Sequence, residues 1–452
     1  MWTSLTAIEW SSEKSVLVLC AVLALASLDI IRRLNRQPTH LFFATVLGTT
    51  LSIALIRTVR IILQPGLQEN SYAMALAVVL LILGWKALFG PWEVQTKATM
   101  LGTFVFWVTL HLLWNESQEQ RSAHLIAIAT ALIPAAIWCM LFLKYHAERI
   151  ERVLLLFFAG MLATVPILMY DALARRGTEL QFFLFRIKLE SFSQTTQAFV
   201  SGQLLEGGGM KVVIVSTLIS FILVGLIEEV SKYWVLTRSA RSIFSSIDDV
   251  MQLSIIVAIG FAFAENVINP VYFTGFVREF LLHGSAPDLT AFLSNVLGRS
   301  VLTSMVHIVS TGVLGYFLGL AIFGAPCLEE DQRKGKTHRL MVRVHQVLRL
   351  PELSIFRLRM LSTGLFCAIA LHGIFNFLVT LPDILPGNPQ SIGDIVGPDA
   401  PLILLRIPVL LLPALLYVVG GFWLLTSLFL RKENMVQRGE LIQTESFVPV
   451  TA

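Results

Sequence analysis

Residues 211–236 read KVVIVSTLISFILVGLIEEVSKYWVL. The run is long enough to cross a bilayer, because about 20 apolar residues in a helix span the roughly 30 Å hydrocarbon core. Yet one turn near its end carries Glu228, Glu229 and Lys232. At the centre of a spanning helix each such residue costs about 2.5–3.5 kcal/mol on insertion scales. A purely structural span has little reason to bear that cost, unless Lys232 and the glutamates simply neutralise one another as an ion pair.

The rest of the chain fits the same solvent. Of 452 residues, 55% are hydrophobic and only 14% charged, and the mean hydropathy is +0.74, which places the chain among membrane proteins with the lipid bilayer as its partner. A net charge of +4 is too weak for a nucleic-acid footprint, so nucleic acid is excluded as a partner. The four cysteines, Cys20, Cys139, Cys327 and Cys367, have no short spacing that would indicate a zinc knuckle or a disulfide framework. Long apolar runs at about 15–31, 40–63, 72–90, 98–114, 122–143, 153–173, 211–236, 250–274, 300–323, 360–381 and 402–429 predict an all-α, polytopic transmembrane bundle of about eleven spans. Alternating sides places Arg32, Arg33 and Arg36, Lys86 and Lys97, Lys144, Arg149 and Arg152, Arg238 and Arg241, the basic segment 333–359 and the tail with Arg431, Lys432 and Arg438 on one face. By the positive-inside rule the N-terminus is then outside and the C-terminus inside.

Four regions follow. Residues 1–173 form an N-terminal scaffold of about six helices with few charges inside them; 174–210 form an extracytoplasmic loop or an amphipathic surface helix; 211–382 form the catalytic transmembrane core; 383–452 hold the last span and a cytoplasmic tail. There is no internal repeat.

Polar exceptions are confined to four consecutive runs. The first has Glu228, Glu229 and Lys232; the next, GFAFAENVIN, has Glu265 and Asn266 with Asn269; then VHIVSTGVLGYFLG has His307 and Thr311; last, ALHGIFNF has His372 and Asn376. Glu228/Lys232, His307/Thr311 and His372/Asn376 are each four residues apart, so each pair shares one helical face. At about 1.5 Å per residue, Glu228, Glu265, His307 and His372 lie roughly 12–15 Å inside their runs, near one level. Taken singly, a buried histidine more often marks an interhelical hydrogen bond, and the glutamate–lysine turn can be an ion pair. All of them at one depth point to chemistry.

Such a set suits hydrolysis. A carboxylate takes a proton from water, a neighbouring imidazole orients that water, and donors on a facing helix hold an oxyanion. Glu228, Glu229, Glu265, His307 and His372 are also zinc-ligand types, so Zn²⁺ is the cofactor of a second route. With no HExxH spacing, and with Asn376 suited to an oxyanion, the metal-free route is preferred. A proton- or ion-coupled transporter would also place Glu and His at mid-depth, but related halves are expected there. A non-catalytic scaffold is the third alternative.

These stretches resemble the motifs of a known family. GLIEEVSKYW resembles an EExxK motif, GFAFAEN an FxxxE motif, VHIVSTGVLGYFLG a histidine-containing third motif and LHGIFN an HxxxN motif of PrsW-type intramembrane proteases, over about 220–380. These belong with the CAAX-prenyl endopeptidases and bacteriocin-processing enzymes. The resemblance implies a glutamate-dependent membrane peptidase with Glu228 and Glu229 on the water, Glu265 and His307 beside them, His372 and Asn376 as oxyanion donors, and Lys232, Asn266 and Thr311 in support. Glu265 and Lys232 stand where the prenyl-peptidase branch has histidine and arginine, which argues against prenylated substrates. The same resemblance implies a single-span membrane-protein substrate, such as an anti-sigma factor, and a bacterial cytoplasmic membrane.

Overall fold

An apolar run in lipid must satisfy its backbone internally, so runs become helices. The computed structural model describes residues 39–62, 71–144, 148–175, 179–182, 185–188, 210–269, 271–284, 286–334, 349–397 and 399–437, with 26, 30, 343 and 345–347 besides. The chain runs through α1 (Thr39–Ile62), α2 (Ser71–Leu88), α3 (Val94–Trp114), α4 (Gln118–Leu143), α5 (Ile150–Leu162) and α6 (Val165–Arg175). A hairpin of β1 (Glu179–Phe182) and β2 (Phe185–Lys188) precedes α7 (Met210–Ala240) and α8 (Ile247–Ile268). After a helical turn Phe273–Phe276 and a π-helical turn Val277–Leu282 come α9 (Leu289–Gly298), a second π-helical turn Arg299–Thr303, α10 (Ser304–Phe323), α11 (Ala325–Arg333), α12 (Glu352–Ile384) and, after short turns, α13 (Gly420–Gln437).

Eight helical segments among the described residues are long and apolar enough to cross a membrane: Thr39–Val59, Val94–Trp114, Gln118–Leu143, Ile150–Tyr170, Ile247–Leu282, Leu289–Phe323, Glu352–Ile384 and Leu411–Arg431. The eleven runs differ from this set for identifiable reasons. Run 15–31 falls outside the described residues apart from two positions. Run 72–90 gives only a short apolar helix, Ala75–Leu88, and run 211–236 becomes the 31-residue α7, whose last half carries the charged turn. Lys97, read as a loop residue, is buried in the first turn of α3. In 174–210 the surface-helix alternative gives way over Glu179–Lys188 to an antiparallel hairpin in which Glu179 pairs with Lys188 and Phe182 with Phe185.

The chain divides into two compact units, Met1–Leu112 and Leu113–Ala452. In the first, α1 packs on α2, and Trp107 Nε1 donates to Thr49 Oγ1 at 2.9 Å. In the second, α8 is the central element. Its sequence, IIVAIGFAFA over 255–264, is apolar all round, as expected of a helix enclosed on every side, and nearly all of its residues are buried. Helices α4, α5, α7 and α10 pack around it, and α12 closes against α7 and α10. Thus α4 and α5, counted with the scaffold in the 1–173 region, pack with the core instead. Small residues explain the change: Ala123, Ala127, Ala131 and Ala135 form a buried face of α4 at four-residue spacing. Where α5 crosses α8, a Cβ on Gly160 would meet the Val257 carbonyl oxygen at 2.1 Å, and one on Gly260 the Phe157 carbonyl oxygen at 2.2 Å.

This crossing is backbone against backbone, so neither side can yield by a rotamer change. Gly160→Ala is expected to cost about 1–3 kcal/mol or more, whereas Gly298→Ala, whose Cβ would point into open space, is expected to leave stability unchanged or raise it by up to about 1 kcal/mol. Thermal unfolding of the two variants in micelles checks this; equal midpoints would contradict the close crossing.

Candidate active site

Four helices of the second unit bring the polar exceptions together. Along α7, Glu228, Glu229 and Lys232 lie within one turn, so the lysine reaches both carboxylates: Nζ is 2.8 Å from Glu229 Oε1 and 3.9 Å from Glu228 Oε2. Two glycines let α12 come close enough to join them. A Cβ on Gly225 would stand 3.1 Å from the Ile369 carbonyl oxygen, and one on Gly373 would stand 2.9 Å from Ile222 Cα. One residue from Gly373, His372 places Nδ1 2.8 Å from Glu229 Oε1 and Nε2 3.4 Å from Glu228 Oε2. Tyr417 holds this stretch of α12 by donating its hydroxyl to the Leu371 carbonyl. From α10, Ser310 Oγ donates to Glu229 Oε1 at 3.0 Å and Thr311 Oγ1 to Oε2 at 2.9 Å, while His307 Nδ1 lies 2.9 Å from Lys232 Nζ. Helix α8 completes the set, with Glu265 Oε2 2.9 Å from His307 Nε2.

Donor and acceptor inventories fix the tautomers. An ammonium only donates, so Lys232 makes Nδ1 of His307 an acceptor, and the ring proton sits on Nε2 and goes to Glu265. An ionised carboxylate only accepts, so His372 donates its Nδ1–H to Glu229 Oε1, while Nε2 faces Glu228 Oε2 at 3.4 Å. The result is one connected path, Glu265 to His307 to Lys232 to Glu229 to His372, ending at Glu228. Glu229 is saturated with four donors. Glu228 Oε2, by contrast, is buried without a hydrogen-bond partner.

Glu228, Glu229, Lys232, His307 and His372 are all buried, whereas Glu265 keeps 21% of its side-chain surface exposed. Thr311 lies in the cluster, and Asn266 beside it accepts from Arg299 Nε at 2.8 Å. Asn376 lies one turn beyond His372, half-buried and without a hydrogen bond among the described residues. Asn269 lies at the end of α8, where its side chain accepts from the Val271 amide, outside the cluster.

Phe261, the first residue of the FxxxE stretch, lies beneath Lys232, with Nζ 4.2 Å from the ring centroid, a cation–π contact that partly replaces lost water. Two further residues of the cluster carry no signal of their own in the sequence. Ser310 is one residue before Thr311 and reads as a small helix residue. Arg299, at the edge of run 300–323, approaches Glu265 Oε1 at 3.4 Å.

Among the described residues, Glu228, His307 and His372 each offer a ligand atom, all within 4.8 Å of one another. Glu229 and Glu265 are not in this group. One carboxylate and two imidazoles are a donor set that suits a divalent metal such as zinc, and the buried Glu228 Oε2, without a hydrogen-bond partner, is an oxygen that a cation would satisfy. For His307 to take part it must exchange its bond to Lys232 or to Glu265 for the metal.

Residues 148–392, more than half of the 452-residue chain, match the PrsW family intramembrane metalloprotease. The chain belongs to the PrsW family. No curated protein and no solved structure matches it. Membership in the PrsW family, together with several apolar helices of spanning length, makes this an integral multi-pass membrane protein and supports an intramembrane protease, a hydrolase, over the transporter and scaffold alternatives.

Lys232 lies within ion-pair distance of both buried glutamates of α7. Lys232→Met keeps the volume but leaves the carboxylates uncompensated, and removing one member of a buried ion pair costs about 3–5 kcal/mol. A correspondingly lower unfolding midpoint in micelles is expected, and an unchanged midpoint would contradict the network.

Proposed function

We propose that the chain is an intramembrane endopeptidase that hydrolyses a peptide bond of a single-span membrane protein, with Glu228 as the group that takes a proton from water. The observation that carries this reading is the contrast between the two glutamates: Glu229 accepts four hydrogen bonds, with both oxygens engaged, while Glu228 Oε2 is buried, without a hydrogen-bond partner and 3.4 Å from His372 Nε2. A water between Glu228 and His372 would give its proton to the carboxylate as its oxygen attacks the scissile carbonyl. Glu228 would then return that proton to the leaving nitrogen, as one group acts first as base and then as acid. Glu229 orients His372, and Lys232 keeps Glu229 ionised. The amide of Asn376, one turn from His372 along α12, is the donor suggested for the oxyanion.

Glu228, His372 and His307 would hold a metal ion, and a zinc ion there would lower the pKa of water and polarise the carbonyl. The metal-bound form is the alternative to activation of water by Glu228 alone, and chelation separates the two. Exhaustive chelation is expected to remove activity and added Zn²⁺ to restore it; full activity in zinc-free protein would leave Glu228 as the sole activator of water.

The direct test of the reading is membrane proteomics of cells carrying Glu228→Gln. The amide keeps the shape and loses the basicity, so a full-length membrane protein should accumulate and its cleaved form should fall by about 10²-fold or more. Identical profiles with inserted, folded variant would sink the proposal. We further propose about eleven spans with the N-terminus outside and the C-terminus inside, in a bacterial cytoplasmic membrane. Support comes from the basic bias of alternate loops. Cysteines placed in 383–398 are expected to react with a membrane-impermeant thiol reagent on intact cells and those in 330–340 not to; the reverse pattern would invert the orientation.

A further inference from the structure

His307 does not arrive at the site on an uninterrupted α-helix. Between α9 and α10 the chain makes the π-helical turn Arg299–Thr303. In a regular α-helix, residues eight apart are rotated by about 80° from each other, and absorbing one extra residue in a π turn reduces this to about 20°. The turn therefore brings Arg299 onto the face of His307. A tertiary contact marks the place: Trp138 of α4 donates Nε1–H to the carbonyl of Ser300, inside the turn, at 2.9 Å in a buried setting. The same indole packs against Phe142 and Phe422, with ring centroids at 6.3 and 5.9 Å.

Three contacts orient the guanidinium so delivered. It lies 3.3 Å from the ring centroid of Tyr272, its Nε donates to Asn266 Oδ1 at 2.8 Å, and its Nη2 stands 3.4 Å from Glu265 Oε1. Glu265 thus divides its two oxygens, one toward Arg299 and one toward His307. It is also the most exposed of the carboxylates in the cluster, so water competes for it there. Without a cation on Oε1 the carboxylate would be free to turn outward, and the Nε2–H of His307 would lose its acceptor.

We propose that Arg299 is a positioning residue: it anchors Glu265, and through Glu265 it holds His307 with Nε2–H on the carboxylate and Nδ1 toward Lys232. The π turn, pinned by Trp138, sets Arg299 in place. This assigns a role in the site to α4, a helix with no charged residue near the cluster. The inference deepens the functional reading above and rests on it for its meaning, but its test does not depend on cleavage.

The test is ¹⁵N NMR of the full chain in bilayers with labelled histidine, the His307 signals being assigned by subtraction of a His307→Asn spectrum. In the unmodified chain Nε2 of His307 is expected to carry a slowly exchanging proton, hydrogen-bonded to Glu265. In Arg299→Gln, exchange of that proton with water is expected to accelerate by about tenfold or more, the scale on which partners beyond the reacting groups act. Arg299→Lys, which keeps the charge but loses the Nε–H donated to Asn266, is expected to fall between. Trp138→Phe touches none of the site side chains, keeps a ring and loses the donor, and is expected to move the same signal in the same direction. An unchanged His307 signal in folded Arg299→Gln would overturn the proposal. Should that variant fail to insert, an unchanged signal in both Arg299→Lys and Trp138→Phe would overturn it as well. A response to Arg299 but not to Trp138 would overturn the part assigned to the π turn. Absence of peptidase activity in the unmodified chain would refute the functional reading and leave these spectra to decide the positioning role.

Discussion

Everything in the second unit is arranged around one buried carboxylate. Glu229 accepts from Lys232, His372 and Ser310 on one oxygen and from Thr311 on the other. A carboxylate so deep in an apolar bundle can stay ionised only when it is paired with a cation and hydrogen-bonded. Its four donors come from three helices, so satisfying it fixes the relative height and rotation of α7, α10 and α12. Burying such a network stabilises little compared with an apolar core. What it supplies is specificity: any slip of one helix by a turn strands a charge. The neighbouring Glu228 is then held at the edge of this frame, its Oε2 buried without a hydrogen-bond partner.

Close backbone approach makes the frame possible. Glycines at the α5–α8 and α7–α12 crossings remove the side chains that would otherwise hold the helices apart. In lipid, where apolar burial gives helices no reason to associate, such close packing and interhelical hydrogen bonds are the main sources of adhesion. Both are present here, and both converge on α8, α10 and α12. The family match begins at residue 148, two residues before α5, and so includes the helix whose Gly160 seats α8.

Much of the site was legible in the sequence because charge in an apolar run is costly and therefore conspicuous. Glu228, Glu229, Lys232, Glu265, His307 and His372 could be named for that reason, and the four-residue spacings rightly placed Thr311 with His307. The different hydrogen-bond partners of Glu228 and Glu229 were not legible, since adjacent glutamates look alike until the packing around them is known. Arg299 was hidden by its position at the flank of a run, where basic residues commonly reach for the interface, and a π turn leaves no periodic trace. The hairpin at Glu179–Lys188 was misread in part because short apolar stretches do not distinguish strand from helix by period, although LQFFLFRIK is rich in aromatic and branched residues that favour strands.

The account stands on the asymmetry of the two glutamates, and their unfolding midpoints in micelles test it most directly. In Glu229→Gln, donors on the amide nitrogen face donors from neighbouring side chains, so the midpoint should fall by the equivalent of about 3–5 kcal/mol. Glu228→Gln removes a buried carboxylate that has an orphaned oxygen, so its midpoint should stay the same or rise although cleavage is lost. A stable Glu229→Gln beside a destabilised Glu228→Gln would contradict the account.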